Sequence, residues 1–476
     1  MYTIVYWSQN LKKINRKVLY LPLETTSREL EAKLYLASKA FLNGFEVVIG
    51  RKPYVKRAAE KIGGGFFLSK DSVKYKKSDF KLIDDNILFI ELHEEGLVRK
   101  NDDELFDMYP NNLDEYHDLI FVWGRKQKRI FLSKYKNFKK KVYVTGNPRF
   151  DILNKNIMEM QTSSSIIDKL KPYIMIATNF GHSNRSEYYR ENVTEQIEAI
   201  KNKYGEDISL SEKVSVQRFN ATQNQMASAY LELIEKLSKD FKNYRIIVRP
   251  HPSERIDILK KFTANLTNVR VLWDGPAINW IASSICLIHP GSTTGIESHY
   301  INKPTYLYKP IDDYVIPPLT ADVSHLKTTY EDLKESIEED IFSNQGKPNN
   351  YSNYLSEMLD NYNQIDSSDT IIKILKKYLV NDNKNNRFHI PHKFYGSFLK
   401  YYLIYVQHFF NLRFISLNQR LRGLLRKYPK LSNKDVLYSF NKFLSASDKK
   451  YPKFKMKEIA PDTYYFSYKA DRIAKK

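Results

Sequence analysis

Apolar and polar positions alternate along this chain in two rhythms. Short apolar runs at 17–22, 46–49, 86–92, 119–123 and 141–144 read as strands. Between the first two, residues 27–43 carry apolar side chains at helical spacing, which predicts a crossover helix. Strand–helix–strand order without hairpin turns predicts parallel pairing in a Rossmann-like layer. The segment TGNPRFD (145–151) closes this half, with Gly146 and Pro148 punctuating the chain after a strand.

A second series of strands is expected at 173–177, 244–248, 269–272, 285–288 and 305–307, with a helix at 226–241. The stretch 181–224 is long, polar and weakly periodic, and reads either as a partly helical insertion or as a loop of functional length. Beyond Pro317 the pattern turns helical at 330–340, 351–362 and 370–379. A polar, basic linker at 381–387 leads to a helical, basic remainder with one short strand at 463–468. The expected fold class is α/β: two Rossmann-like domains facing a cleft, plus a helical basic C-terminal extension. The expected boundaries are 1–155, 170–320 with an insertion at 182–224, a helical segment 325–380 closing the core, and 385–476.

Composition narrows the function classes. The 476 residues suffice for two or three domains, and 42% hydrophobic content suffices for real cores. A lone cysteine, Cys286, excludes an internal disulfide framework and reads as a small buried hydrophobe within an apolar run. The formal net charge is +21, and residues 384–476 hold 21 Lys and Arg against 5 Asp and Glu. Such an excess implies an anionic partner: nucleic acid, anionic lipid or an acidic polymer. The chain shows no nucleic-acid module signature, so no nucleic-acid partner is expected. The N-terminus has no signal-peptide pattern, and the most apolar stretch, 401–417, is broken by Gln407, His408, Asn411 and Arg413. The expected location is cytoplasmic and peripheral to a membrane's inner face. Residues 389–430 read either as an interfacial element or as a helical cap on the core.

Three constellations carry chemistry. ELHEEGLVR (91–99) follows a strand, where open α/β sheets place their ligands. Glu94 or Glu95 can serve there as general base or as nucleophile, and Gly96 allows close backbone approach. His93 and Arg99 flank the acidic pair as substrate contacts, as do Asn147 and Arg149 of TGNPRFD. IIVRPHPSE (246–254) offers Arg249 as a bidentate phosphate fork, with His251, held beside Pro252, to donate to a phosphate oxygen or protonate a leaving group. LIHPGSTTGIES (287–298) ends a strand at His289 and turns at Gly291. It then sets Ser292, Thr293 and Thr294 at a helix N-terminus, an anion cradle with Ser292 as N-cap. Glu297 binds a ribose hydroxyl or satisfies the dipole. Neither a Walker loop, nor GxGxxG, nor a metal-ligand cluster stands out, so no cofactor and no metal are expected.

Strand-EEG, strand-HP and a later Ser/Thr pair together resemble the motif trio of bacterial sialyltransferases and polysialyltransferases, GT-B enzymes that use CMP-activated nonulosonic acids. The layout is similar to bacterial Kdo transferases and to proteins of surface carbohydrate biosynthesis, over residues 17–310. The resemblance implies Glu94 as the general base, with Glu95 and Gly96 completing its motif. It implies His251 and Pro252 as the HP motif at the CMP phosphate, and Ser292 and Thr293 as the pair holding that phosphate. His93, Arg99 and a second HP at His289 depart from the simple pattern. The expected activity is transfer of a Kdo- or sialic-type sugar from a CMP donor to a surface polysaccharide or glycolipid. A CDP-glycerol-type polyol-phosphate transferase and a UDP-sugar transferase or epimerase are the alternatives.

Overall fold

The computed structural model describes residues 12–69, 76–81, 86–97, 112–154, 165–181, 210–343, 351–380, 430–447 and 451–468, with isolated positions between them. The first sheet is built from β1 (Val18–Leu23), β2 (Glu46–Arg51), β3 (Gly65–Ser69), β4 (Ile87–Leu92), β5 (Leu119–Val122) and β6 (Val142–Val144). The second holds β7 (Tyr173–Ala177), β8 (Arg245–Arg249), β9 (Val269–Val271), β10 (Leu287–His289), β11 (Thr305–Tyr308) and β12 (His325–Lys327). A hairpin of β13 (Phe454–Ala460) and β14 (Thr463–Tyr468) ends the described chain. The helices that matter below are α1 (Thr26–Leu42), α2 (Pro148–Asp151), α3 (Leu210–Asp240), α4 (Thr293–Tyr300), α5 (Ser367–Lys377) and α6 (Asn433–Ser445).

The sheet orders are β13-β14-β2-β1-β3-β4-β5-β6 and β12-β11-β10-β7-β8-β9. Every pairing is parallel except those of the hairpin, β13 with β14 and β14 with β2. These are two Rossmann-like layers, as the strand–helix alternation predicts. Their strands are covered on both faces, so β1, VLYLPL, is buried along its whole length.

Several segments differ from expectation. Strand β3, which opens on Gly65 behind Gly63 and Gly64, is not among the strands expected for this half; all three glycines have positive φ. Helix α3 starts at Leu210 and takes in part of the expected insertion at 182–224. The C-terminal region is more than a helical extension: β14 pairs with β2 and brings β13 with it, so the tail completes the first sheet. Helix α6 lies on α1, where Phe41 meets Phe440, Phe454 and Tyr468 at ring separations of 6.0, 5.8 and 4.3 Å. That aromatic contact explains why the C-terminal aromatics face inward. The segment 325–380 also departs from a purely helical closure. It opens with edge strand β12 of the second sheet and ends in α5, packed on α1 of the first domain.

Asp151 anchors this return crossing. Its carboxylate accepts from Asn361 Nδ2 (2.7 Å), Ser367 N (2.7 Å), Ser368 N (2.8 Å) and Ser368 Oγ (2.6 Å). Gly146 lets the chain approach: its φ is +70°, and a Cβ there would lie 2.1 Å from Asn361 Oδ1. Among the described residues no helix is long and apolar enough to cross a membrane.

Candidate functional site

All strands of β1–β6 run the same way, so the segments following β1, β4 and β6 leave the same edge of the first sheet. The segments following β8 and β10 share the corresponding edge of the second. Arg149 joins the two edges. Its Nη2 lies 2.5 Å from Glu297 Oε1 in the first turns of α4, and its Nη1 lies 3.4 Å from the Glu94 carbonyl. Phe150 packs edge-on against Tyr300 at 5.2 Å beside this contact. The EEG loop, the TGNPRFD turn and the N-terminus of α4 therefore meet at one place.

The two acids of EEG have different surroundings. Glu95 is exposed and pairs with Arg28 at 3.1 Å. Burial opposes the charge on Arg28, yet Glu95, Glu29 and Glu94 together raise its pKa. Glu94 is 6% exposed, and its Oε1 lies 3.3 Å from Lys33 Nζ. The loop is held by His93, whose Nδ1 accepts from Glu95 N (3.0 Å) and whose carbonyl accepts from Trp123 Nε1 (2.7 Å). Gly96 lies against the Trp123 ring, where a Cβ would come within 3.2 Å of three ring atoms. Asn147 caps α2, its Oδ1 accepting from Arg149 N at 2.9 Å.

A recess between α1 and this turn is lined by Glu29, Lys33, Ser69, Glu94, Asn147 and Arg149 among others. Two buried polar atoms of its walls, Glu94 Oε2 and Asn147 Nδ2, have no hydrogen-bond partner among the described residues. Buried polar groups are seldom left this way, because each costs about 1–3 kcal/mol. One atom accepts and the other donates. A hydroxyl group is able to do both.

On the second sheet, Ser292 is the N-cap of α4, its side chain accepting from Thr294 N at 3.3 Å, as expected. Thr293 is exposed and Thr294 half-buried at the helix start. His251 leaves the same edge from β8, two strands away across β7, a lateral offset of roughly 10 Å. Ser253 N donates to His251 Nδ1 at 3.2 Å, and Ser253 Oγ lies 2.7 Å from the same ring nitrogen. The loop is fixed beneath by Glu254, buried and accepting from His251 N (2.8 Å) and Thr178 Oγ1 (2.7 Å). Pro252 is half-buried in the same turn.

Three expected ligand contacts are engaged elsewhere. Arg249 is buried, with Nη1 donating to the Asp274 carbonyl (2.9 Å) and Nη2 to the Gly275 carbonyl (2.8 Å). Burial lowers its pKa to about 10. Its fork clamps a loop, each terminal nitrogen donating to a main-chain oxygen from a buried side chain. His289 is fully buried; its Nδ1 accepts from Gly291 N (3.0 Å) and Ser292 N (3.2 Å). It shapes the turn from within, and Gly291, at φ +102°, allows that turn. Glu297 turns to Arg149, away from both roles foreseen for it. Arg99 lies outside the described residues, as does most of 389–430.

Sequence reasoning missed Lys33, Glu29 and Asn361. The first two form an i,i+4 pair on α1, a spacing that ordinarily marks a solvated helix face. Only the packing of α1 against β1 and β2 shows that they are interior.

No family model matches the chain, and no curated protein matches it. Similar solved structures include S. aureus MnaA with UDP, at 14% identity over 77% of this chain and 98% of that one, TM-score 0.46. A UDP-GlcNAc 2-epimerase from Methanocaldococcus jannaschii has 12% identity over 76% and 99%, TM-score 0.45. The wall teichoic acid polymerase TagF has 12% identity over 76% and 88%, TM-score 0.42.

Proposed function

We propose that this protein is a GT-B glycosyltransferase that moves a Kdo- or sialic-type sugar from a CMP-activated donor onto a hydroxyl of a surface glycan or glycolipid, without a metal. The observation carrying this reading is the buried Glu94, with one oxygen paired with Lys33 and the other buried without a hydrogen-bond partner among the described residues, beside a recess that Asn147 also lines. In this reading the acceptor hydroxyl gives its proton to Glu94 Oε2 and its oxygen bonds to the anomeric carbon. The anomeric carbon–oxygen bond to phosphate breaks, and its electron pair leaves with CMP. The leaving phosphate is received by the α4 N-terminus with Ser292, Thr293 and Thr294, and by the His251 ring. The Arg149–Glu297 pair draws the two domains together over the reacting atoms and keeps water out. The basic segment 389–430 is proposed to hold the enzyme at an anionic membrane surface near its acceptor.

The test is calorimetric binding of CMP, CDP, UMP and UDP with and without EDTA, on the wild type and His251→Ala. CMP binding that survives EDTA and weakens at least ten-fold in the variant is the expected result. A preference for UDP or a strict metal requirement overturns the reading in favour of a nucleotide-diphosphate-sugar enzyme. A preference for CDP moves it to a polyol-phosphate transferase.

A further inference from the structure

The wall of the recess on α1 holds a chain of buried charges that the reaction as described does not use. Glu29 is completely buried, and main-chain donors fix its carboxylate: Glu24 N to Oε2 and Thr25 N to Oε1, each at 3.1 Å. One helical turn later, Lys33 is 6% exposed. Its Nζ lies 2.8 Å from the Pro22 carbonyl, 3.2 Å from Glu29 Oε2 and 3.3 Å from Glu94 Oε1. The first two contacts are hydrogen bonds and the third is an ion pair. One of the acceptors comes from the end of β1, one from α1 and one from the loop after β4.

We infer that Lys33, braced by Glu29, is a positioning residue for Glu94. Its ammonium fixes Oε1 and leaves Oε2, buried and without a hydrogen-bond partner among the described residues, as the working oxygen. This inference rests on the reading of Glu94 as the base. The order of fixation runs outward from the backbone: main-chain amides hold Glu29, Glu29 and Pro22 hold Lys33, and Lys33 holds Glu94. Without the ammonium, the two buried carboxylates of Glu29 and Glu94 would share one pocket with only the Arg28 guanidinium, itself paired with Glu95, to offset them, and the position of Glu94 would loosen. An ion pair kept only for stability gains little by burial. This one leaves a carboxylate oxygen without a partner, which costs folding free energy and makes sense where a ligand completes it. The clamp also narrows the ligand class. A carboxylate or phosphate at Oε2 would meet two acids, and an ammonium could not accept from Asn147 Nδ2. A neutral hydroxyl does both.

Two double-mutant cycles on the full-length protein test this, built from Lys33→Met and Glu94→Gln. The first follows CMP release from CMP-Kdo and CMP-sialic acid. Lys33→Met is expected to lower kcat roughly 100-fold with KM for the donor unchanged, and to have no further effect in the Glu94→Gln background. An equal loss in both backgrounds, or an unchanged kcat, overturns the inference. The second cycle uses urea denaturation and needs no donor. A coupling of about five-fold or more in the unfolding constant supports the clamp, and additivity overturns it. Should Lys33→Met fail to fold, Glu29→Gln replaces it in both cycles with a smaller loss of the same pattern. Should the wild type neither bind CMP nor release it, the glycosyltransferase reading falls, and the denaturation cycle alone decides whether Lys33 holds Glu94.

Discussion

Lowering the pH from 7 to 5 perturbs His289 without touching a single residue. Its ring is fully buried, Nδ1 accepts from two main-chain amides, and Nε2 lies 3.0 Å from Ser324 Oγ. A Cβ on Gly295 would come within 2.3 Å of Nε2, so the ring has no room to withdraw. With Nδ1 serving as acceptor, the neutral ring carries its proton on Nε2 and donates to Ser324. A second proton, on Nδ1, would face two N–H groups. Burial depresses the pKa of His289 to about 3. The unfolded chain binds that proton near the ordinary value of about 6.5. The folded pKa lies below the unfolded one, so stability is intact above pH ~6.5 and falls steadily as the pH drops toward the folded value. Between pH 7 and 5 the linkage relation gives a loss of about 2 kcal/mol from this residue alone. Urea denaturation of the wild type and His289→Gln at pH 7, 6 and 5 isolates the term, since other groups contribute to both proteins. Carbon-13-labelled histidine NMR checks it independently: of the ten histidines, the signal absent in His289→Gln should stay neutral at pH 5. Equal pH slopes in the two proteins, or a His289 signal that titrates above pH 5.5, would refute the assignment of a buried neutral ring beneath the start of α4.

Glu94→Gln should lower CMP release from a CMP-activated donor by about 100-fold or more while calorimetric CMP affinity stays within two-fold. Gly146→Ala must place a Cβ on Asn361 Oδ1 at positive φ, breaking the Asn361 bonds to Asn147 N and Asp151. Roughly 3 kcal/mol of lost stability follows, read from the denaturation midpoint. Arg249→Lys cannot serve the Asp274 and Gly275 carbonyls together, so limited proteolysis should open that loop, and CMP affinity should not change. Arg149→Ala removes one tie between the domains, and kcat and KM should both worsen while solution scattering reports a more open molecule.

The two parallel sheets could be read from the chain because strands buried on both faces are unbroken apolar runs, and VLYLPL and YIMIA stand out against polar flanks. Motifs at strand ends were equally legible: Gly and Pro mark where a strand stops, and Ser292 before a helical pattern marks a cap. Local signals also located β14, but a short aromatic strand carries no record of its partner, and its place beside β2 is a long-range fact. The division of labour among the site residues was decided only in three dimensions. Arg249 and His289 look like ligands because strand-end Arg and His are chemically able to bind phosphate, yet main-chain groups reach them first. Lys33 and Glu29 look like a solvated i,i+4 pair, yet the packing of α1 on the sheet takes them out of water and turns them toward Glu94. Sequence period determines which face of an element is apolar. Which charged groups lose their water depends on what other elements bring against that face, and desolvation, unlike period, is a property of the assembled fold.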